Sequence, residues 1–267
     1  MAEFSAKDVQ RLRQVSGAGM MDAKRALTEC DGDFEAAIRW LREKGLGKAG
    51  ERSGRENVQG AVAVVRAGDA GALIELKCET DFVAKSPDFV RLAEEMAQRV
   101  AEEGEEAAAK WSDAVDDLRI KLKENIELGR VVRFEAAPGH VLDTYLHVQS
   151  GRGVNGVLVE LAGGTPELAH DVAVHIAFGR PRYITRDEVP PEEVEQERLS
   201  LQSETRNEGK PEAAIPKIVE GKLNGWYKRV PGGVLLEQPY AKDDKRSVKQ
   251  VLGDAQVARF AQVVIGA

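Results

Sequence analysis

A glycine-rich stretch in the second half of the chain has the spacing of a phosphate-binding loop. Residues Gly151 to Gly156 read GRGVNG, which matches the G-x-G-x-x-G pattern of dinucleotide-binding proteins. That pattern binds a pyrophosphate where a strand precedes it and a helix begins at its last glycine, because the helix amides then face the phosphates. Here the run VLVEL, typical of a strand, follows instead. The stretch is therefore predicted to join two antiparallel strands, which disfavours a nucleotide-dependent oxidoreductase.

The four histidines are the next candidates for chemistry. His170 and His175 lie five positions apart on a predicted helix, whereas two metal ligands on one helical face are spaced by four. His140 and His147 flank a predicted strand, where a turn residue and a surface or interface group are expected rather than catalysts. No serine, cysteine or lysine has a recognisable activating neighbour. The sequence thus predicts a protein that is not an enzyme and that holds no cofactor and no metal.

The stretch CETDFVAKS, Cys78 to Ser86, places an apolar pair between charged residues directly after a predicted buried strand. Phe82 and Val83 could belong to a functional loop held by a rigid scaffold. Alternatively, they could fold back and anchor their own loop. A single helical turn capped by Thr80 or Asp81 fits both interpretations.

Met20 and Met21 form a second apolar pair. They are adjacent on a predicted helix, so their side chains cannot both face one core. We expect one to be buried and the other to be exposed as an adaptable contact, since methionine adjusts readily to different surfaces. The alternative is that both are buried at a junction between domains.

The composition bounds the class of protein. A chain of 267 residues, 42% apolar and 31% charged, is typical of a soluble globular protein with two or three domains. Its net charge of −7 argues against nucleic acid or an anionic membrane as the main partner, because phosphate binding needs a concentrated basic face. With no signal-like start and no long apolar run, the chain is expected to be cytoplasmic. Cys30 and Cys78 are expected to be buried, reduced thiols.

The N-terminal residues 1–45 are predicted to form a small domain of three short helices. Met20 and the apolar residues that follow it recur at helical spacing, which predicts that they form the inward face of the second helix. Gly45 is expected to end the third helix. Residues 46–59 are rich in Gly, Lys, Arg and Glu and are predicted to be a linker.

Beyond the linker, the order strand, strand, helix occurs twice. LIEL at residues 73–76 matches LVEL at 158–161 with an offset of 85 residues, whereas the apolar positions of the following helices match with an offset of 76. The first copy therefore has nine additional residues between strand and helix, where CETDFVAKS lies. The repeat predicts two related halves, residues 60–137 and 138–267. In the second copy the short segment AGGTP connects the strand to the helix. The architecture therefore does not require the additional residues of the first copy.

A helical hairpin is predicted at about residues 190–227, within the second half. Its second helix is expected to begin near Ile215, because the ring of Pro216 would clash with the carbonyl group of Glu212. Sparse apolar residues could form the seam between the helices, which indicates a projecting element rather than a core element. These residues are Val194, Leu199 and Leu201 on one helix and Ile215, Ile218, Val219 and Leu223 on the other. The following GGVLLEQPYAKDD is expected to be a strand.

Two of these motifs together resemble the bacterial elongation factor Ts family, whose members are guanine-nucleotide exchange factors for elongation factor Tu. The motifs are SGAGMMDAKRAL and CETDFVAK, and the resemblance extends through GKPEAAIPKIVEGK and LLEQPY, nearly the whole chain. It implies an α+β fold with an N-terminal three-helix domain similar to ubiquitin-associated (UBA-like) domains. It further implies a core of two related α+β subdomains with antiparallel sheets and a protruding coiled-coil hairpin.

The resemblance also implies a mechanism. In the family, the Asp-Phe of CETDFVAK contacts the GTPase domain of elongation factor Tu, and the phenyl ring disturbs the magnesium and phosphate contacts that retain GDP. By motif position these roles fall on Asp81 and Phe82, with Thr80 and Val83 beside them. The implied partner is elongation factor Tu, both GDP-bound and nucleotide-free, with no direct contact to nucleic acid or membrane. Further implied contact residues are Arg13, Met20, Met21, Lys24 and His147.

A non-catalytic adaptor protein is the alternative from a different class of function. In that interpretation the three-helix domain binds ubiquitin-like or nascent-chain ligands, in the manner of a chaperone, and the remainder is scaffold. The adaptor does not explain the nine additional residues of the first repeat.

Overall fold

The computed structural model describes residues 4–266, apart from the side chain of Lys48. The α-helices are α1 (Ala6–Ser16), α2 (Met20–Glu29), α3 (Phe34–Gly50), α4 (Asp81–Ala84), α5 (Pro87–Glu103), α6 (Ser112–Leu122), α7 (Pro166–Gly179), α8 (Pro191–Asn207), α9 (Ile215–Tyr227) and α10 (Val248–Leu252). The strands are β1 (Gln59–Ala67), β2 (Ala70–Cys78), β3 (Glu127–Glu135), β4 (His140–Gln149), β5 (Arg152–Ala162), β6 (Pro239–Tyr240), β7 (Asp243–Ser247) and β8 (Gln256–Val264). Short 3-10 turns lie at Glu105–Trp111, Arg186–Glu188, Glu212–Ala214 and Leu235–Glu237.

The three N-terminal helices pack around a small core in which Leu12 and Leu27 are fully buried. The prediction that Gly45 ends the third helix is wrong, because α3 continues to Gly50 and includes the first residues of the predicted linker. A Cβ atom at position 45 would lie 2.8 Å from Cγ2 of Ile120 on α6. Gly45 is therefore a point of close approach between two helices and not a stop signal.

The remainder of the chain has the predicted α+β architecture, with two related halves. The first half has an antiparallel sheet in the order β1-β2-β3, and α5 packs on it through the fully buried Phe89 and Met96. The second half has an antiparallel sheet in the order β4-β5-β8, and α7 packs on it through Val172 and Ile176. Strand, strand and helix therefore occur twice in the same order, as the repeat predicted.

The two halves contact each other where the β4–β5 hairpin meets β1. Ser150 and Gly151 form the turn with φ angles of 54° and 79°, as a two-residue type I′ turn requires. A Cβ atom at Gly153 would lie 2.1 Å from the carbonyl oxygen of Val62, and one at Gly156 would lie 2.5 Å from Cγ1 of Val62. The predicted antiparallel strands are confirmed, but the turn that joins them includes only Gly151 of the glycine-rich stretch, because residues 152–156 belong to β5. Gly153 and Gly156 instead allow one half to approach the other.

The predicted helical hairpin consists of α8 and α9. Helix α9 begins at Ile215 with Pro216 in its first turn, as predicted. Leu199 is 55% exposed, so the prediction that it lies in the seam is wrong. Thr205 takes a buried position on α8 instead, where its hydroxyl group donates to the carbonyl oxygen of Leu201 at 2.6 Å.

The segment after the hairpin is shaped by a buried polar network. The predicted strand there is reduced to β6 and the first residues of β7, since Leu235–Glu237 forms a 3-10 turn. His175 of α7 is fully buried, and its Nδ1 accepts a hydrogen bond from the amide of Ala241 at 3.1 Å. Its Nε2 therefore carries the proton and donates to Oε1 of Gln238 at 3.0 Å. Gln238 in turn donates to the carbonyl oxygens of Gly179 and Arg229, each at 2.9 Å.

This network predicts a pH-dependent stability. Burial lowers the pKa of His175 below its ordinary value of 6.5. As pH falls through that value the unfolded chain takes up a proton that the native state does not, so the native state loses stability. We expect a lower urea midpoint at about pH 5.5 than at about pH 7.5, and a smaller difference in His175→Gln. An identical pH dependence in the variant would contradict this prediction.

Candidate partner-binding site

The additional residues of the first repeat lie between β2 and α5, where residues 79–85 form what we call the inserted loop. It contains α4, a helix of four residues. Thr80 is its N-cap, and the Thr80 hydroxyl group accepts a hydrogen bond from the amide of Val83 at 3.4 Å. The predicted single capped turn is therefore present, with Thr80 as its cap.

The two apolar residues of the inserted loop differ in environment. Val83 packs against the core of the first half, next to the fully buried Ala84. Phe82 is 83% exposed, the largest exposed fraction among the large apolar side chains in residues 4–266. The alternative in which the apolar pair anchors its own loop holds for Val83 but not for Phe82. Because the side chains of consecutive helical residues point in different directions, anchoring through Val83 presents Phe82 to solvent.

Asp81, the residue before Phe82, carries an ionised carboxylate. Oδ2 of Asp81 lies 2.5 Å from Nζ of Lys85, one helical turn away. This hydrogen bond lowers the pKa of Asp81. The inserted loop thus presents an exposed aromatic ring at Phe82 and, on the preceding residue, a carboxylate paired with Lys85.

The base of the inserted loop is held by a segment that sequence reasoning missed. The Glu124 carboxylate, between α6 and β3, accepts hydrogen bonds from the amides of Glu79 and Thr80, each at 3.0 Å. It also accepts one from the Thr80 hydroxyl group. Glu124 is separated from Thr80 by 44 positions, so no local sequence pattern connects them.

Arg152 was also missed, because it appeared only as a variable position in the glycine-rich pattern. Its guanidinium group reaches from β5 to β1, donating to the carbonyl oxygen of Gly60 at 2.6 Å and to Oε1 of Gln59 at 3.0 Å. The side chain is buried, and its positive charge contributes to the lowered pKa of Asp81. Arg152 thus connects the second half to β1, whose first residue pairs with Cys78, the last residue of β2 before the inserted loop.

The remaining predicted contact residues lie outside the inserted loop. Met20 and Met21 are 49% and 75% exposed, so the prediction that one of them is buried is wrong. The inward face of α2 is formed by Ala23, Ala26 and Leu27, which leaves the first turn of the helix at the surface. Arg13 at the end of α1 and Lys24 on α2 are exposed as well, and so is His147 on β4.

The other histidines lie in ordinary environments. Nδ1 of His140 lies 2.7 Å from Oε1 of Glu160, and Nδ1 of His170 lies 3.0 Å from Oδ2 of Asp143. Within residues 4–266, no group of three or more His, Cys, Asp or Glu side chains could hold a metal ion. In the same part of the chain, no helix has the length and apolar character needed to cross a membrane.

The chain thus combines an N-terminal helical domain, two α+β halves and an inserted loop that exposes Phe82. The model of the family described as Elongation factor TS matches residues 79–267. The chain is 45% identical over 282 residues to elongation factor Ts of Clavibacter michiganensis, with 100% of both chains covered. It is 44% identical over 280 residues to elongation factor Ts of Acidothermus cellulolyticus, covering 100% of this chain and 99% of the relative. The chain belongs to the elongation factor Ts family and is a translation elongation factor.

Proposed function

We propose that this protein binds GDP-bound elongation factor Tu and promotes release of GDP, with Phe82 inserted near the magnesium and phosphate site of the partner. The observation that carries the proposal is the 83% exposure of Phe82 on a capped and anchored helical turn. Asp81 supplies a charge beside the ring, and Thr80 and Val83 hold the turn in place. The protein forms and breaks no covalent bond in this role, which takes place in the cytoplasm and requires no cofactor or metal of its own.

Differential binding explains how such a protein releases a nucleotide. A factor that binds the nucleotide-free partner better than the GDP-bound partner weakens GDP binding by the same coupling free energy. Burial of one phenyl ring contributes about 1.5 to 3 kcal/mol, which is a roughly tenfold to hundredfold shift if it is realised only in the open partner. Phe82 alone is therefore useful but insufficient, and further contacts are needed.

The exposed residues outside the inserted loop supply those further contacts in this proposal. They belong to two surfaces, one on the N-terminal helices and one on β4 of the second half. These residues are Arg13, Met20, Met21, Lys24 and His147.

Removing the N-terminal helices is expected to weaken binding. We expect a chain lacking residues 1–50 to retain the two folded halves and to bind elongation factor Tu less tightly, as measured by calorimetry. Because the deletion also uncovers Ile120, the point variant Met21→Ala is the matched control for loss of the contact alone. It should reduce affinity in the same direction without lowering Tm. Equal affinity of the truncated and intact chains would show that Met20, Met21 and Lys24 make no contact.

The proposed function is tested by measuring affinity for elongation factor Tu with and without GDP. An exchange factor must bind more weakly when GDP is present, by the same factor by which it weakens GDP binding. The adaptor alternative, whose ligands are ubiquitin-like or nascent chains, predicts no measurable affinity for elongation factor Tu with or without GDP. An affinity that does not depend on GDP would reject the exchange function, and the absence of any affinity would favour the adaptor.

A further inference from the structure

We propose that Glu124 is a positioning residue for nucleotide exchange, because it holds Thr80 so that α4 presents Phe82 to the partner. This inference rests on the proposed function and adds to it a residue that lies outside the inserted loop. Glu124 touches neither nucleotide nor partner in this account and acts through Thr80.

Glu124 accepts hydrogen bonds from the first two residues of the inserted loop. One carboxylate oxygen accepts from the amides of Glu79 and Thr80, each at 3.0 Å, and the other accepts from the Thr80 hydroxyl group. Because that hydroxyl proton is donated to Glu124, the lone pairs of Oγ1 are free to accept from the amide of Val83 at 3.4 Å. Glu124 therefore orients the group that caps α4.

Glu124 is itself held in place by a reciprocal set of bonds. Oε1 of Glu79 accepts from the amide of Asn125 at 2.7 Å, so each of the two segments supplies a carboxylate to the backbone of the other. The Asn125 side chain is 3% exposed and donates to the carbonyl oxygen of Arg55 at 2.9 Å and to Oε1 of Glu127 at 3.2 Å. The anchor is thus part of the folded first half.

A strong anchor is needed because α4 has only four residues. Isolated helices of fewer than about 12 residues are marginal in water, so α4 depends on its cap and on its attachment. Val83 and Ala84 attach its inner side to the core, while Glu124 fixes its N-terminal end. Hydrogen bonds to an ionised carboxylate are about twice as strong as those between neutral groups, which makes Glu124 the main polar restraint on the loop.

The test compares Glu124→Ala and Glu124→Gln with Glu94→Gln, a control at an exposed position of α5. In the free protein, amide hydrogen exchange of residues 79–85 should become faster in both Glu124 variants and stay unchanged in the control. Stimulated release of labelled GDP should fall about tenfold in Glu124→Ala, equivalent to about 1.4 kcal/mol. The rate of GDP release should fall less in Glu124→Gln, because the glutamine amide retains one acceptor oxygen.

A second comparison separates positioning from a general effect on folding. If Glu124 acts through Phe82, Glu124→Ala should cause little further loss of GDP release in a Phe82→Ala background. Equal fold losses in both backgrounds would overturn the proposal, as would unchanged hydrogen exchange in the loop.

Substitutions of Thr80 test the same hydrogen bond between its hydroxyl group and Glu124. Thr80→Val should reproduce the Glu124→Ala loss, whereas Thr80→Ser, which keeps the hydroxyl group, should retain most activity. These two variants keep the inference testable even if Glu124→Ala does not fold, and full activity of Thr80→Val would contradict it. If the unaltered chain fails to stimulate GDP release, the proposed function fails, whereas hydrogen exchange still reports on the anchor.

Discussion

Replacement of Phe82 by alanine is expected to slow stimulated GDP release by up to about a hundredfold, if most of the roughly 3 kcal/mol of ring burial is realised only in the exchange complex. The melting temperature should stay nearly unchanged, because an 83% exposed side chain contributes little to the core. The measurement is the rate of release of a labelled GDP from elongation factor Tu, together with a thermal melt of the free variant.

Two matched variants define the specificity of this effect. Leu199→Ala removes another exposed apolar side chain, from the hairpin, and should change neither rate nor melting temperature. Val83→Ala removes a side chain that packs on the core and should lower the melting temperature. A Phe82→Ala protein that melts many degrees lower but exchanges nucleotide normally would show that Phe82 is a structural anchor.

The largest loss of stability from a single added methyl group is expected at Gly153. Its Cβ atom would lie 2.1 Å from the backbone carbonyl oxygen of Val62 and 2.6 Å from Cδ1 of Leu146. A backbone oxygen cannot move away as a side chain can, so Gly153→Ala should force β5 away from β1. Overpacking typically costs about 1 to 3 kcal/mol, and we expect the upper end of that range. For a chain of this size, that lowers Tm by roughly 5 to 10 °C.

The control for this prediction is Gly221→Ala on α9, where the added Cβ has no neighbour within 4 Å apart from the adjoining residues and backbone of its own helix. Alanine favours an exposed helix over glycine by about 0.5 to 1 kcal/mol, so this variant should be as stable as the original chain or slightly more so. Thermal melts of the two variants provide the comparison. Equal melting temperatures would show that the contact between the two halves does not require a glycine.

Features with a local or repeated signature were predictable from the sequence. The order strand, strand, helix occurs twice with a measurable offset, so the two halves and the additional residues near Phe82 could be identified. The G-x-G-x-x-G stretch could be assigned to a pair of antiparallel strands, although most of it lies in β5 and not in the turn. Helix α9 begins at Ile215, as the geometry of Pro216 requires.

Features that depend on distant contacts could not be predicted in this way. Gly45 has the composition signal of a helix end, but its packing against Ile120 overrides that signal. Glu124 contacts Thr80 across 44 positions and Arg152 contacts Gln59 across 93, so no local pattern shows either contact. Met20 has helical spacing with the inward face of α2, yet it lies in the first turn and is 49% exposed.

The central claim, that this chain releases GDP from elongation factor Tu, is tested most directly by stopped-flow measurement of labelled GDP release. The account predicts that the release rate rises with the concentration of the chain and then saturates as the exchange complex forms. The same titration with Phe82→Ala should show a much lower maximum. A release rate that stays at its intrinsic value at every concentration of the unaltered chain would contradict the account.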